Sequence, residues 1–76
     1  MNNLGPKIKN LRLEREMRQE ELAKLLCVSK AEISFYENSK RIPPLNKLIK
    51  IAEIFDINIG DLIFENQSST KDYFYF

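Results

Sequence analysis

Two short segments with apolar residues at helical spacing, Gln19 to Leu26 and Ser29 to about Asn38, are separated only by Cys27 and Val28. Helices joined so tightly must turn sharply and pack at a steep angle. The first segment sets Leu22, Ala23, Leu25 and Leu26 among charged residues, as a short helix with one buried face does. In the second, Ser29 is a helix cap, Glu32 completes a Ser-x-x-Glu capping box, and Ile33 and Tyr36 supply the apolar face.

The rest of the chain extends this pattern. Pro6 suits the first turn of a helix, and Ile8 and Leu11 begin an apolar stripe that runs to about Glu16. After a loop from Ser39 to Pro43, Leu45, Leu48, Ile49, Ala52 and Phe55 recur at helical spacing. Asp56-Ile57-Asn58 breaks that helix, and Ile59, Leu62 and Ile63 predict a short fifth helix capped by Asn58. Gly5-Pro6, Pro43-Pro44 and Gly60 act as breakers between segments, and no internal repeat is evident. The expected fold is therefore all-α, with five compact helices over residues 1–65. Residues 66–76 form a tail that begins polar and ends Tyr73-Phe74-Tyr75-Phe76. At 76 residues there is room for one domain with a modest core, which dimerisation would help to stabilise.

Several function classes are disfavoured. No apolar run approaches the roughly 20 residues that span a bilayer, and the N-terminal residues do not read as a secretory signal, so a cytoplasmic protein is expected. Cys27 is the single cysteine and histidine is absent, which removes an intramolecular disulfide, the usual metal ligands and the commonest general base. An enzyme is not expected, nor is a metal or cofactor. The net charge of +1 conceals an asymmetry: residues 1–50 hold eleven Lys/Arg against six Asp/Glu, whereas residues 51–76 hold one against five. One region can face phosphates while the other avoids them.

The stretch from Gln19 to Asn38 resembles the helix-turn-helix of the XRE-type, lambda-repressor-like DNA-binding family. The likeness extends from about Ile8 to Phe64 through Leu11-Arg12, the Gln-x-x-Leu-Ala of helix two, Val28-Ser29, Ile33-Ser34, Glu37, Lys40-Arg41, Pro43, Ile51-Ala52 and Asp61-Leu62. These residue types make physical sense in such a motif. Ala23 is small enough for helix three to cross closely, and Leu22, Leu26, Val28, Ile33 and Tyr36 fill the angle. The resemblance implies a structural pair between Arg12 and Glu37. It also implies that helix three enters the DNA major groove with Lys30, Ala31 and Phe35 over bases. Lys30 would donate to guanine, and Ala31 and Phe35 would touch thymine methyl groups. Glu32 and Ser34 are further base candidates, Glu32 having its capping role as an alternative. Gln19, Ser29, Asn38, Lys40 and Arg41 would contact phosphates.

This sequence departs from the family pattern at four places. Cys27 and Ser39 stand where glycine is usual, Arg18 replaces a Ser or Thr cap, and Phe35 is a large apolar residue on the expected DNA face. The function implied is a sequence-specific DNA-binding transcriptional regulator, a repressor, with double-stranded DNA as its partner. One domain places few side chains on bases, so a homodimer on an inverted repeat is expected, with half-sites roughly 34 Å apart. Ile49, Phe55, Ile59, Ile63, Phe64 and the aromatics Tyr73, Phe74, Tyr75 and Phe76 are the candidates for the dimer contact. The alternative is a protein-interaction module on the same scaffold, antitoxin-like or a partner of another regulator, with weak DNA binding. Control by a separate protein antagonist is compatible with either reading.

Overall fold

The computed structural model describes residues 3–64. Five helices follow in order: α1 (Leu4–Glu14), α2 (Gln19–Leu26), α3 (Lys30–Glu37), α4 (Leu45–Ile54) and α5 (Ile59–Ile63). No strand occurs among the described residues, and none of their helices is long and apolar enough to cross a membrane. The expected all-α, five-helix architecture is the one observed. The tail residues Tyr73, Phe74, Tyr75 and Phe76 lie outside the described residues.

The core is one cluster in which Ile8, Leu22, Leu26, Ile33, Ile51, Phe55 and Leu62 are fully enclosed. Helix α3 packs against both α1 and α2, and α4 and α5 close the remaining sides. Ala23 and Ala52 are buried where neighbouring helices come close, and Val28 packs on the edge of the cluster. In α4 the buried face is Leu48, Ile51 and Ala52, continued by Phe55 at its C-cap. Leu45 and Ile49, which the spacing had placed on that face, point outward. A repeat of i, i+3, i+4, i+7 fits either set of residues, and only packing against α2 and α5 selects between them.

Gly5-Pro6 is no boundary. α1 starts at Leu4, which is buried, and both residues lie within its first turn. Gly5 is required there by proximity, since a Cβ at this position would stand 2.6 Å from the Tyr36 carbonyl oxygen and 2.7 Å from that of Glu37. The start of α1 thus rests directly on the end of α3.

The ends of α1 to α4 share one solution. Glu16, Cys27, Ser39 and Asp56 have φ of 52°, 59°, 60° and 54°, and neither glycine of the described residues has positive φ. Each of the four follows a helix, and the amide of the next residue reaches back into the last turn. Met17 N donates to Arg12 O at 3.0 Å, Val28 N to Ala23 O at 3.0 Å, Lys40 N to Phe35 O at 2.8 Å and Ile57 N to Ala52 O at 2.9 Å. These are Schellman closures, which glycine usually serves because the left-handed conformation crowds a Cβ. Cys27 and Ser39 were expected in this role; Glu16 and Asp56 carry no mark that separates them from ordinary polar loop residues.

At the N-termini, the Ser29 hydroxyl accepts from Glu32 N at 3.0 Å and Asn58 Oδ1 from Gly60 N at 2.8 Å. The Arg18 guanidinium has no acceptor to offer α2, so only the return half of a capping box is present, Arg18 N donating to Glu21 Oε1 at 2.7 Å.

Two stability predictions follow from these backbone features. Replacing Glu16 or Cys27 with glycine relieves left-handed strain and is expected to raise stability by up to about 1 kcal/mol each, after the chain-entropy cost of glycine. Asp56→Gly should gain less, because aspartate tolerates this conformation. Gly5→Ala should lose about 1–3 kcal/mol by forcing α1 off α3. Urea midpoints of the single variants test all four, and equal midpoints for Gly5→Ala and the parent chain would refute the close-approach role.

Candidate nucleic-acid interface

The 3.6-residue repeat of α3 divides its side chains between two environments. Ile33, Tyr36 and Glu37 are buried on the inner side. Lys30, Ala31 and Phe35 are exposed on the outer side, with Ser34 and Glu32 half-buried at its margins. The five base-contact candidates therefore come together on or beside one outward helical face, next to Lys40 and Arg41, which are exposed in the following loop.

The inner side is held by a buried ion pair. Arg12 Nε donates to Glu37 Oε2 at 2.6 Å, and its Nη2 to Glu37 Oε1 at 3.1 Å. The same guanidinium gives Nη1 to Met17 O at 2.7 Å, and Glu37 Oε1 also accepts from Gln19 Nε2 at 3.1 Å. Among the described residues no buried side-chain polar atom lacks a partner. One network thus ties α1, the α1–α2 turn, the first residue of α2 and the last residue of α3, which fixes the axis along which α3 is presented.

The phosphate-contact candidates are placed less uniformly. The Gln19 side chain turns inward to Glu37, which leaves the backbone amide, not the side chain, as its group at the start of α2. Ser29 is occupied as the cap of α3, and Asn38 Nδ2 donates to Ser34 Oγ at 3.2 Å, joining the last residue of this surface to its middle. Among the described residues neither Lys30 nor Lys40 has an ion-pair partner. The reciprocal half of the Ser29–Glu32 capping box is not formed: the Glu32 carboxylate instead takes Arg41 Nη1 at 2.8 Å. The Arg41 guanidinium carbon also lies 5.2 Å from the centroid of the Phe35 ring.

Of the dimer candidates, Phe55 must be withdrawn. It is fully buried in the core, its ring covered by the Arg15 guanidinium at 5.1 Å. Its place at the end of the α4 stripe made core and interface indistinguishable in sequence. Ile59 and Ile63 are half-buried against the core, whereas Ile49 and Phe64 are exposed.

Two lysines hold the scaffold in ways that sequence reasoning missed. Lys47 Nζ donates to Leu26 O at 2.7 Å, closing the end of α2 from α4. Lys7 Nζ donates to the Asp61 and Phe64 carbonyls at 2.6 and 2.9 Å, closing the end of α5 from α1. Cations favour helix C-termini, but these partners lie on other helices, and no spacing rule links them.

Burial pushes the Tyr36 phenol above its ordinary 10.0, and the adjacent Glu32 carboxylate adds to the shift against an opposing pull from Arg41. Because the folded-state value is the higher one, this contribution to stability is complete below the ordinary pKa and is lost as pH rises through the folded value. Alkaline urea titrations should show a steeper loss of stability above about pH 10 for the parent chain than for Tyr36→Phe. Glu37→Ala, which strands the Arg12 charge, should cost about 3–5 kcal/mol, whereas Arg12→Met combined with Glu37→Leu should recover most of that loss. A double-mutant cycle by urea unfolding checks this, and near-additive losses would refute the pairing as a stability element.

Comparison with known proteins agrees with this geometry. Residues 8–62 match the helix-turn-helix family model. The chain is 32% identical over 66 residues to the cryptic phage CTXphi transcriptional repressor RstR of Vibrio cholerae, over 87% of this chain and 60% of that protein's length. It is 40% identical over 62 residues to an HTH-type transcriptional regulator of Archaeoglobus fulgidus, covering 80% of this chain and 87% of the relative. Among solved structures, the master regulator for biofilm formation SinR in complex with DNA is similar with a TM-score of 0.73 at 27% identity, over 80% of this chain and 98% of that one. With its matched helices, its tight α2–α3 join and these relatives, the chain belongs to the XRE-type helix-turn-helix family.

Proposed function

We propose that this chain is a sequence-specific DNA-binding transcriptional regulator, a repressor, that inserts α3 into the major groove and binds an inverted-repeat operator as a homodimer. The observation that carries the reading is the division of α3. Its inner side is locked by the Arg12–Glu37 network, while Lys30, Ala31 and Phe35 stand exposed on a rigid outer face. A pre-set, exposed helix face loses little conformational freedom when it docks into a groove. Lys30 is assigned to a base edge, Ala31 and Ser34 to neighbouring bases, and Lys40 with the Gln19, Ser29 and Asn38 segments to phosphates. The similarity to the RstR repressor and to SinR, whose structure is a DNA complex, supports the same reading. A regulator of this kind works in the cytoplasm, where its DNA is.

Homodimerisation follows from the small number of base contacts that one α3 can supply. Ile49, Ile59, Ile63 and Phe64 are the surface assigned to it, with Phe64 67% exposed. Tyr73, Phe74, Tyr75 and Phe76 belong to the same assignment on sequence grounds.

A second reading, a protein-interaction module, is favoured by one feature: Phe35 is 41% exposed in the middle of the outer face. Phosphate contacts weaken steeply with salt and apolar protein contacts do not, so the two readings separate experimentally.

Selection from a randomised duplex pool of about 30 base pairs, at low and near-physiological salt, should enrich an inverted repeat with half-sites about one helical turn apart. Retention at neither salt would overturn the DNA reading and leave the interaction module. With the selected duplex, Lys40→Ala should lower the slope of log affinity against log salt by about 2 for the bound dimer, about 1 per protomer, at unchanged base preference, and Lys30→Ala should relax preference at one position of each half-site.

A further inference from the structure

The cluster formed by Glu32, Phe35 and Arg41 is more ordered than a phosphate contact requires. The loop after α3 is folded back on its last turn, with Lys40 N and Arg41 N donating to Phe35 O at 2.8 and 3.2 Å. This return brings the Arg41 guanidinium over the Phe35 ring at 5.2 Å and onto Glu32 Oε1 at 2.8 Å. The side chains are layered: that of Glu32 is 21% exposed and that of Arg41 61%, so the carboxylate lies below and the guanidinium is outermost. Phe35 is thus partly covered by a cation rather than offered as a bare apolar contact.

A phosphate needs a positive charge and tolerates a mobile one. Arg41 has the opposite properties, because Glu32 offsets its charge and would itself repel a phosphate, while two contacts hold its plane. A planar donor fork with reduced net charge suits a neutral acceptor edge, and in the major groove the paired acceptors O6 and N7 of guanine provide one. Lys40, next in sequence and without an ion-pair partner among the described residues, has the properties that Arg41 lacks.

Resting on the DNA reading above, we propose that Arg41 determines sequence by donating to a guanine edge, with Phe35 as its platform and Glu32 as the residue that positions it. The three side chains act as one unit. The unit explains why a large aromatic residue stands on this face and why Glu32 leaves the reciprocal half of its capping box unmade.

The test uses the full chain and the duplex selected from the random pool, together with duplexes in which each G·C pair is replaced in turn by A·T. Arg41→Lys keeps the charge and removes the fork. It should keep the salt slope and lose roughly 5- to 150-fold of the preference for G·C at one position, the range of a bidentate base contact. Glu32→Ala should flatten preference at that same position, whereas Glu32→Gln, which retains an acceptor for Arg41, should preserve it. Lys40→Ala serves as the phosphate control. Unchanged preference in Arg41→Lys, or an Arg41→Ala variant that lowers only the salt slope, by about 1 per protomer, would make Arg41 a phosphate contact and overturn the proposal. Equal profiles for Glu32→Ala and the parent chain would overturn the positioning role. A parent chain that retains no duplex would overturn the DNA reading itself, a result distinct from any of these.

Discussion

The buried ion pair between Arg12 and Glu37 sets the orientation on which the outer surface depends. Taking two opposite charges out of water is costly, and it is tolerated here because all three guanidinium nitrogens and both carboxylate oxygens find a partner. Those partners come from α1, the α1–α2 turn, α2 and α3, so the network is satisfied only when these elements stand at one set of angles. An apolar contact in the same place could slide by a fraction of a turn at little cost. A charged network cannot, since each displaced hydrogen bond would leave a buried charge unpaired. Its contribution is therefore directional: it determines where the face carrying Lys30, Ala31 and Phe35 points.

The helix ends impose a second constraint. Four Schellman closures at Glu16, Cys27, Ser39 and Asp56 reverse the chain within very few residues, and they do so without glycine. The resulting strain is spread over four turns rather than concentrated in one. Such a small domain gains compactness from these reversals, because each brings the next helix back onto the core at once. The third closure also carries Arg41 back over α3, so a device that ends a helix helps to shape the outer surface as well.

Much of this arrangement was legible in the residues. The two-residue join at Cys27-Val28, the Ser29 and Asn58 caps and the apolar spacing of Ile8, Leu22, Leu26 and Ile33 specify helices and their inner faces, because these signals act over a few residues of backbone. Other features were hidden. Gly5 looks like a breaker until the Tyr36 and Glu37 carbonyls are found against it. Phe55 looks equally suited to core or interface until α4 is docked. The Gln19 side chain looks like a phosphate donor until Glu37 is seen to hold it. Glu32 satisfies a local capping rule, yet its carboxylate goes to a residue nine positions away.

What the sequence determined by itself was the class of structure: five helices, a helix-turn-helix join and the inner faces of α1, α2 and α3. Those properties follow from local spacing, capping and steric rules that hold before any helix meets another. Only the tertiary structure decided which polar side chains remain free on the outer surface and which are used to build it. That division depends on donors and acceptors meeting across helices, and a carboxylate or guanidinium carries no mark in sequence of the partner it will find once the core has closed.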